Sequence, residues 1–214
     1  MHPKVIELLK IVEDNGLKVG RAAALPRLMY DGNWHSVYKD DILLITRLSN
    51  RIDLSRSIPE KFQNCAGNFN NNGSIVVIIG EKPAGPSPFR RSYPFNDVDG
   101  CSGWLNRLLA KAKIDESKLF WVNAYNLDDS SNDSSMVNEV NPKEVICLGK
   151  TAEKWAKENG WECKTFYHPQ YWKRFKSKED YPLIEHLRQA TSTSFRFSDC
   201  HTLLIDTICC VTYT

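Results

Sequence analysis

The sequence predicts an α/β fold in which a central, mainly parallel sheet of four strands lies between two layers of helices. From about residue 74 to residue 189, apolar and β-branched runs alternate with amphipathic stretches, as in parallel or mixed sheets. The first of these runs is continuously apolar, which is expected of a strand buried on both faces. With 214 residues and 42% hydrophobic content, the chain is large enough for one such core.

The region before the sheet is expected to be helical. Residues 3–14 repeat apolar positions at helical spacing, with a proline near the start. Residues 20–56 are mixed in composition, and we interpret them as mostly helical. The acidic pair that precedes Ile42 predicts the start of a helix. The Asn-rich run 68–73 is a loop signal, so we place a helical N-terminal region at residues 1–70.

The main α/β domain is placed at residues 71–190. Its strands are expected at residues 74–79, 118–124, 144–148 and 165–167. Its helices are expected at residues 102–113, 150–158 and 181–189. A long Pro- and Gly-rich loop covers residues 80–101, and an acidic, serine-rich loop covers residues 127–135. The Ser-, Thr- and Cys-rich residues 191–214 form a C-terminal extension to which we assign no element.

Composition excludes some classes of protein. A formal charge of +2 and a pI near 8.1 do not by themselves indicate nucleic-acid binding. The sequence contains neither an apolar run long enough to span a membrane, about 18 residues, nor a signal peptide. Its seven cysteines are scattered, without Cys-x-x-Cys or zinc-ligand spacing. We interpret the chain as a cytoplasmic monomer with reduced thiols and expect no metal and no cofactor.

Three loops are expected to meet at one edge of the sheet. In open α/β sheets, ligands bind beyond the carboxyl ends of the strands. Loops that leave the predicted strands in this direction cover residues 80–85, 123–129 and 168–174. A single site can therefore collect side chains from all three.

The third loop belongs to a segment rich in aromatic and basic residues. Residues 165–175 contain a His-Pro pair, further aromatic residues and two adjacent cations. Residues 164–178 include five basic residues and no acidic one. Phosphate binding and stacking on bases require this mixture of side chains. The segment therefore predicts a DNA partner.

Five short motifs support a resemblance to a known family. In chain order they are Gly80-Glu-Lys-Pro-Ala-Gly, Gly100-Cys-Ser-Gly-Trp-Leu, Phe120-Trp-Val-Asn-Ala, Glu144-Val-Ile-Cys-Leu-Gly and Tyr167-His-Pro-Gln-Tyr. Together they resemble the motifs of the uracil-DNA glycosylase superfamily, especially its Gly-Glu-x-Pro-Gly branch. The resemblance covers residues 75–189 and implies that family's three-layer α/β/α fold and removal of a base from DNA.

The chemistry of base removal can also be argued from the residues. Breaking an N-glycosidic bond leaves an anionic base and a cation-like sugar. His168 is the candidate donor to the base oxygen, and Glu81 is the candidate for activating water or stabilising the sugar. Asn123 can offer both a donor and an acceptor to the edge of a base, and Phe95 can stack on its face.

Further contacts are assigned to the base and to DNA. Gly80 and Pro83, from the first motif, are expected to line the base site. DNA contacts are expected from Ser102, Lys150, Gln170, Tyr171, Trp172, Lys173 and Arg174. Within this set, Tyr171 or Trp172 is expected to fill the gap left by a flipped nucleotide, and the adjacent cations Lys173 and Arg174 are expected to hold phosphates.

The sequence departs from the family pattern in several places. The four cysteines that hold an iron–sulfur cluster in that branch are absent, and Lys82 adds a cation beside Glu81. Ala84 separates the proline from the next glycine, and the segment between Phe95 and Gly100 is about three residues longer than the pattern. A longer loop can enlarge the pocket, so a bulky modified base, such as a modified cytosine of phage DNA, is an alternative to uracil. Its excision would be antiviral defence rather than repair.

Each candidate residue also has a plainer structural role. Glu81 can be a solvated carboxylate paired with Lys82, His168 a hydrogen-bonding loop residue, and Asn123 a cap at a strand end. The aromatic candidates can belong to the core, and the cations can form a solvated face. Ser102 is better explained as a helix N-cap than as a nucleophile, because no Gly-x-Ser-x-Gly motif frames it.

Two other classes of function compete with base excision. One is a non-catalytic DNA-binding protein on the same fold. The other is a nucleotide-binding enzyme that cradles phosphate with the glycine-rich loop at residues 80–85. That loop lacks both common phosphate-binding glycine patterns, which disfavours the second alternative.

Overall fold

Among the residues it describes, the computed structural model of the chain contains two β-sheets and, from residue 41 onward, six α-helices. The described residues are 10, 14, 18–22, 25–30, 33–36, 41–55, 65–69, 75–83, 94–95 and 100–192. Within them, no helix has both the length and the apolar character needed to cross a membrane. Cys65, Cys101, Cys147 and Cys163 are free thiols.

The larger sheet has five strands in the order β4-β6-β5-β7-β8. Its strands are β4 (Cys65–Gly67), β5 (Val76–Gly80), β6 (Leu119–Asn123), β7 (Glu144–Leu148) and β8 (Lys164–Phe166). Strands β5 to β8 run parallel, and β4 pairs antiparallel with β6. The prediction of a mainly parallel sheet is confirmed, but the prediction of four strands is wrong.

The additional strand, β4, is short and has no β-branched residue, so it carries no strand signal in the sequence. It approaches β6 closely at Gly67, which has a φ of +139°. A Cβ atom at this position would lie 2.3 Å from the carbonyl oxygen of Leu119. Strand β4 precedes residue 71 in the chain and belongs to the same sheet as β5 to β8.

The helices are α1 (Asp41–Ser55), α2 (Gly100–Lys111), α3 (Ser135–Val140), α4 (Lys150–Glu158), α5 (Pro169–Phe175) and α6 (Pro182–Thr191). The predictions of α2, α4 and α6, and of a helix start just before Ile42, are confirmed. The prediction that residues 168–174 form a loop is wrong. Helix α5 begins there because His168 caps it and Pro169 occupies its first turn.

Residues 18–36 contain the smaller sheet, which is antiparallel. It consists of β1 (Lys18–Ala22), β2 (Leu25–Tyr30) and β3 (Asn33–Ser36). The expectation of mostly helical structure is therefore wrong for this part of the N-terminal region. Of the helix expected at residues 3–14, only Lys10 and Asp14 are described, and both are helical. The C-terminal extension from residue 193 lies outside the described residues.

Apolar side chains cover both faces of the larger sheet. On one face, Val77, Ile79 and Phe120 are buried with residues of α3 and α4. On the other face, Ile78 and Trp121 are buried with residues of α2, α5 and α6. Neighbouring strand residues alternate between the two clusters, as expected of strands covered by helices on both sides.

Candidate active site

The predicted loops leave the sheet at one edge. Strand β5 ends at Gly80 and β6 ends at Asn123, and these two residues are partners in the parallel register. Strand β8, in the same sheet and parallel to β7, ends two residues before His168. The backbone N–H of Tyr125 donates to the carbonyl oxygen of Glu81 over 3.0 Å, which ties the first two loops together. The starts of the first two loops, and the N-terminus of α5 in place of the third, therefore lie at the carboxyl edge.

Phe95 lies over the start of the first loop. A Cβ atom added to Gly80 would lie 2.5 Å from Cε2 of Phe95 and 2.9 Å from Oδ1 of Asn123. Because Gly80 has no side chain, the Phe95 ring and the Asn123 amide can both lie close to its backbone. The centroid of the Phe95 ring lies 6.3 Å from that of His168 and 5.6 Å from that of Trp121. Gly80, Phe95, Asn123 and His168 thus form one cluster.

His168 is half-buried at the N-terminus of α5 and has a defined orientation. Its Nδ1 accepts a hydrogen bond from the backbone N–H of Gln170 over 3.2 Å. In the neutral imidazole, the proton then resides on Nε2, which is the available donor. Burial lowers the pKa of His168, and the negative charge of Glu81 opposes this shift. The ring is therefore a neutral hydrogen-bond donor at neutral pH.

Gly149, directly after β7, makes room for this histidine. Its φ is +98°, and an added Cβ atom would lie 3.3 Å from Cβ of His168. The backbone N–H of Gly149 donates to the carbonyl oxygen of Phe166 over 2.9 Å, which fixes the end of β7 against β8. Lys150 follows at the first position of α4, where it is exposed near the same edge.

Glu81 and Lys82 differ in environment. Glu81 is half-buried, whereas Lys82 is exposed and its Nζ forms an ion pair with Oδ1 of Asp129 over 2.7 Å. The hydrogen bond to Asp129 and its charge raise the pKa of Lys82, so this amine stays protonated. A protonated amine is not a nucleophile. Pro83 is buried beside this pair of residues.

Asn123 is buried at the base of the cluster. Its backbone carbonyl oxygen accepts a hydrogen bond from Nδ2 of Asn132 over 3.0 Å, and the backbone N–H of Asn132 donates to the carbonyl oxygen of Ala124. Asn132 therefore holds the returning part of the acidic loop against the end of β6. Sequence analysis gave this asparagine no role.

A buried network that sequence analysis missed holds the turn at Phe95. Nη1 of Arg51 donates to the carbonyl oxygens of Pro94 and Phe95 over 2.9 and 2.8 Å. Nδ2 of Asn106 donates to the same Phe95 oxygen over 2.6 Å. Phe95 has a φ of +56°, which a residue with a side chain rarely adopts, so these bonds stabilise an unfavourable backbone.

The network extends to Arg47 and Glu116. Nε of Arg47 lies 2.7 Å from Oε1 of Glu116, and Nε of Arg51 lies 3.5 Å from Oε2 of the same carboxylate. Arg51 is 0% exposed, and its guanidinium lies 4.1 Å from the ring centroid of Trp121. The sequence did contain a signal for this network: Arg47 and Arg51 are four residues apart and lie among apolar residues on the buried face of α1. A buried arginine requires a partner.

The expected DNA contacts divide into exposed and buried residues. Gln170, Tyr171, Lys173 and Arg174 are exposed on α5, and Nζ of Lys173 donates to the carbonyl oxygen of Gly100 over 2.9 Å. Trp172 is only 7% exposed, because α5 turns it toward the core. Its alternative role as a core residue is confirmed, which leaves Tyr171 as the candidate for the place of a flipped nucleotide.

Ser102 is buried at the third position of α2. Helix α2 begins at Gly100, so the interpretation of Ser102 as an N-cap is wrong. Its burial leaves little hydroxyl surface for a DNA phosphate. No group of three or more His, Cys, Asp or Glu side chains among the described residues is arranged to hold a metal ion.

Comparison of the sequence with protein-family models and with curated proteins gives no match.

Proposed function

We propose that this protein is a monofunctional DNA glycosylase that flips a uracil or a modified pyrimidine out of DNA and hydrolyses its N-glycosidic bond. The observation that carries the proposal is the cluster at the carboxyl edge of the sheet. It combines the Phe95 ring, the buried Asn123 amide and a neutral His168 whose Nε2 proton is available. Three of the five motifs that resemble the uracil-DNA glycosylase superfamily supply members of this cluster, namely Gly80, Asn123 and His168.

His168 acts on the departing base. As the bond between C1′ and the base nitrogen breaks, the electron pair stays on the base and negative charge develops on its carbonyl oxygen. A neutral imidazole stabilises this charge by donating from Nε2, and it is oriented beforehand by the Gln170 N–H. Removing one such donor lowers a catalytic rate by about 10²–10³-fold.

Glu81 acts on the sugar and on water. The carboxylate stabilises the cation-like sugar and positions a water molecule whose oxygen forms the new bond to C1′. One proton leaves this water to Glu81, and the released base finally takes up a proton from solvent or from that carboxylate. The products are a free base and an abasic site. Lys82 is held protonated by Asp129, so no amine attacks the sugar.

Phe95 and Asn123 select the base. Phe95 stacks on its face, and Asn123 contacts its hydrogen-bonding edge. The Asn123 amide can be oriented to suit uracil or cytosine, so this residue fits either pyrimidine. The additional residues between Phe95 and Gly100 favour a larger pocket and therefore a base that carries a bulky group. Excision of such a base from phage DNA would serve antiviral defence, whereas excision of uracil would serve repair.

The test is formation of abasic sites, detected as strand cleavage by alkali. Substrates are DNA with uracil at one position, and phage DNA with plain, hydroxymethylated or glucosylated cytosine. Glu81→Gln and His168→Ala are compared with matched controls outside the site: Glu158→Gln on α4 and His186→Ala on α6. Loss of cleavage in the first pair and retention in the second supports the proposal.

Two outcomes favour the alternative functions. If DNA is bound but no substrate is cleaved, a non-catalytic DNA-binding protein is the better description. Saturable binding of a free nucleotide without action on DNA supports a nucleotide-binding enzyme.

A further inference from the structure

Three aromatic side chains form an exposed row beside the candidate site. Tyr167, Tyr171 and Phe175, which we name the aromatic row, are 61%, 41% and 69% exposed. Among the described residues, only one other large hydrophobic side chain, Leu43, is comparably exposed. Exposed aromatic groups concentrated in nine residues indicate a binding surface rather than chance exposure.

The geometry of the row follows from α5. Tyr171 and Phe175 are four residues apart, so they lie on the same face of the helix, and Tyr167 directly precedes the capping residue His168. The ring centroids of Tyr167 and Tyr171 are 4.9 Å apart with an interplanar angle of 19°. Those of Tyr171 and Phe175 are 5.1 Å apart. The result is a continuous strip of rings that starts at the candidate site.

The surroundings of the strip are cationic. Residues 164–178 carry five basic side chains and no acidic one, and among them Arg174 follows Tyr171 by three residues and therefore lies on the same side of α5 as the aromatic row. Rings flanked by cations match the chemistry of a nucleic-acid strand, since the rings can stack on bases while the cations neutralise phosphates. An apolar protein partner would not require these charges.

We propose that the aromatic row binds unpaired bases of single-stranded DNA that extends from the candidate site. This inference rests on the proposed function only for the choice of DNA as the nucleic acid. Bases of a duplex are stacked on one another, so their faces are not accessible to a strip of rings. Because Tyr167 and Tyr171 stack on each other, the ring most open to a base is that of Phe175, which is 69% exposed. The protein therefore prefers single-stranded DNA to duplex DNA.

The test is fluorescence anisotropy of the full-length protein with labelled single-stranded oligothymidylate, the matching duplex and single-stranded oligouridylate. Loss of one stacked base corresponds to about a 5- to 150-fold weaker affinity. Phe175→Leu keeps an apolar side chain but removes the ring, and Phe175→Trp restores a ring. Leu43→Ala removes the other exposed hydrophobic side chain and serves as the control. Because Phe175 is mostly exposed, these variants are expected to fold.

We expect tight, salt-sensitive binding of single-stranded DNA that Phe175→Leu weakens within this range and that Phe175→Trp and Leu43→Ala retain. Equal weakening by Phe175→Leu and Leu43→Ala, or equal affinity for single strand and duplex, would overturn the proposal. Preference for oligouridylate would overturn the choice of DNA. Binding requires no base removal, so a chain that binds as expected but releases no base would contradict the proposed function and leave this inference intact.

Discussion

Replacing Gly80 with alanine tests whether the candidate site depends on the close approach of the Phe95 ring to the backbone of Gly80. The added methyl group would lie 2.5 Å from Cε2 of Phe95, whereas ordinary carbon contacts begin near 3.4 Å. The ring must therefore move by about 1 Å, the size of displacement that lowers a catalytic rate by about 10²-fold. Overpacking of this kind also lowers the free energy of unfolding by about 1–3 kcal/mol. Both effects are expected in Gly80→Ala.

The assay combines urea unfolding, followed by circular dichroism, with the single-turnover rate of base release. Gly160→Ala is the control, because its φ of +79° causes backbone strain while its Cβ atom would meet nothing within 4 Å. It should lose stability but keep its rate. In a Phe95→Leu background, the ring edge that the new methyl group meets is absent. The stability cost of Gly80→Ala should then fall by more than half. An equal cost in both backgrounds would refute the reasoning.

Three further predictions concern the surroundings of the site. Arg51→Met removes a buried cation and its bonds to the Phe95 turn, and it should cost about 3–5 kcal/mol of unfolding free energy. The control Arg188→Met breaks the exposed ion pair with Glu185 and should lower the free energy of unfolding by at most about 1 kcal/mol. If urea titrations show similar losses for the two variants, the buried network does not stabilise the fold as described. Burial lowers the pKa of His168. Base release should therefore persist as the pH falls through about 6.5, the ordinary pKa of histidine, and should decline only at lower pH. The folded state binds this proton less readily than the unfolded state, so the histidine's contribution to stability is complete above that ordinary pKa and is lost as pH falls toward the folded pKa. A rate–pH profile with its acidic limb above pH 6.5 would contradict this assignment. Lys82→Met should leave base release within a few-fold of the original rate, and borohydride should trap no covalent complex with DNA, because Asp129 keeps the amine protonated. A trapped complex that disappears in the variant would show that the amine attacks the sugar.

The sequence predicted the strands that are buried on both faces. The runs that form β5, β6 and β7 are continuously apolar or nearly so, and burial by helices on both sides makes that pattern reliable. Strand β4 could not be predicted in this way, because Cys65–Gly67 contains no β-branched residue and is specified by its pairing with β6. The sequence did contain a signal for the antiparallel sheet at residues 18–36. The pair Asp31-Gly32 lies between β2 and β3 in the sequence, and Asp-Gly is typical of a hairpin turn.

The candidate site was predictable where its residues directly follow strands. Asn123 and His168 could be assigned to one edge because parallel strands end there together. The sequence could not choose between Tyr171 and Trp172 because a loop does not distinguish them, whereas α5 leaves Tyr171 exposed and buries Trp172. The contacts of Arg51 join residues that are 43 and 44 positions apart, and no local pattern specifies such contacts.

The central claim is tested most directly by mass spectrometry of the released base. Wild type and Glu81→Gln are incubated in ¹⁸O-labelled water with DNA that contains uracil or a modified cytosine. The claim predicts that the wild type releases an intact free base and that ¹⁸O enters the abasic sugar. It also predicts that Glu81→Gln releases far less. Absence of free base from every substrate, or equal release by the two proteins, would contradict it.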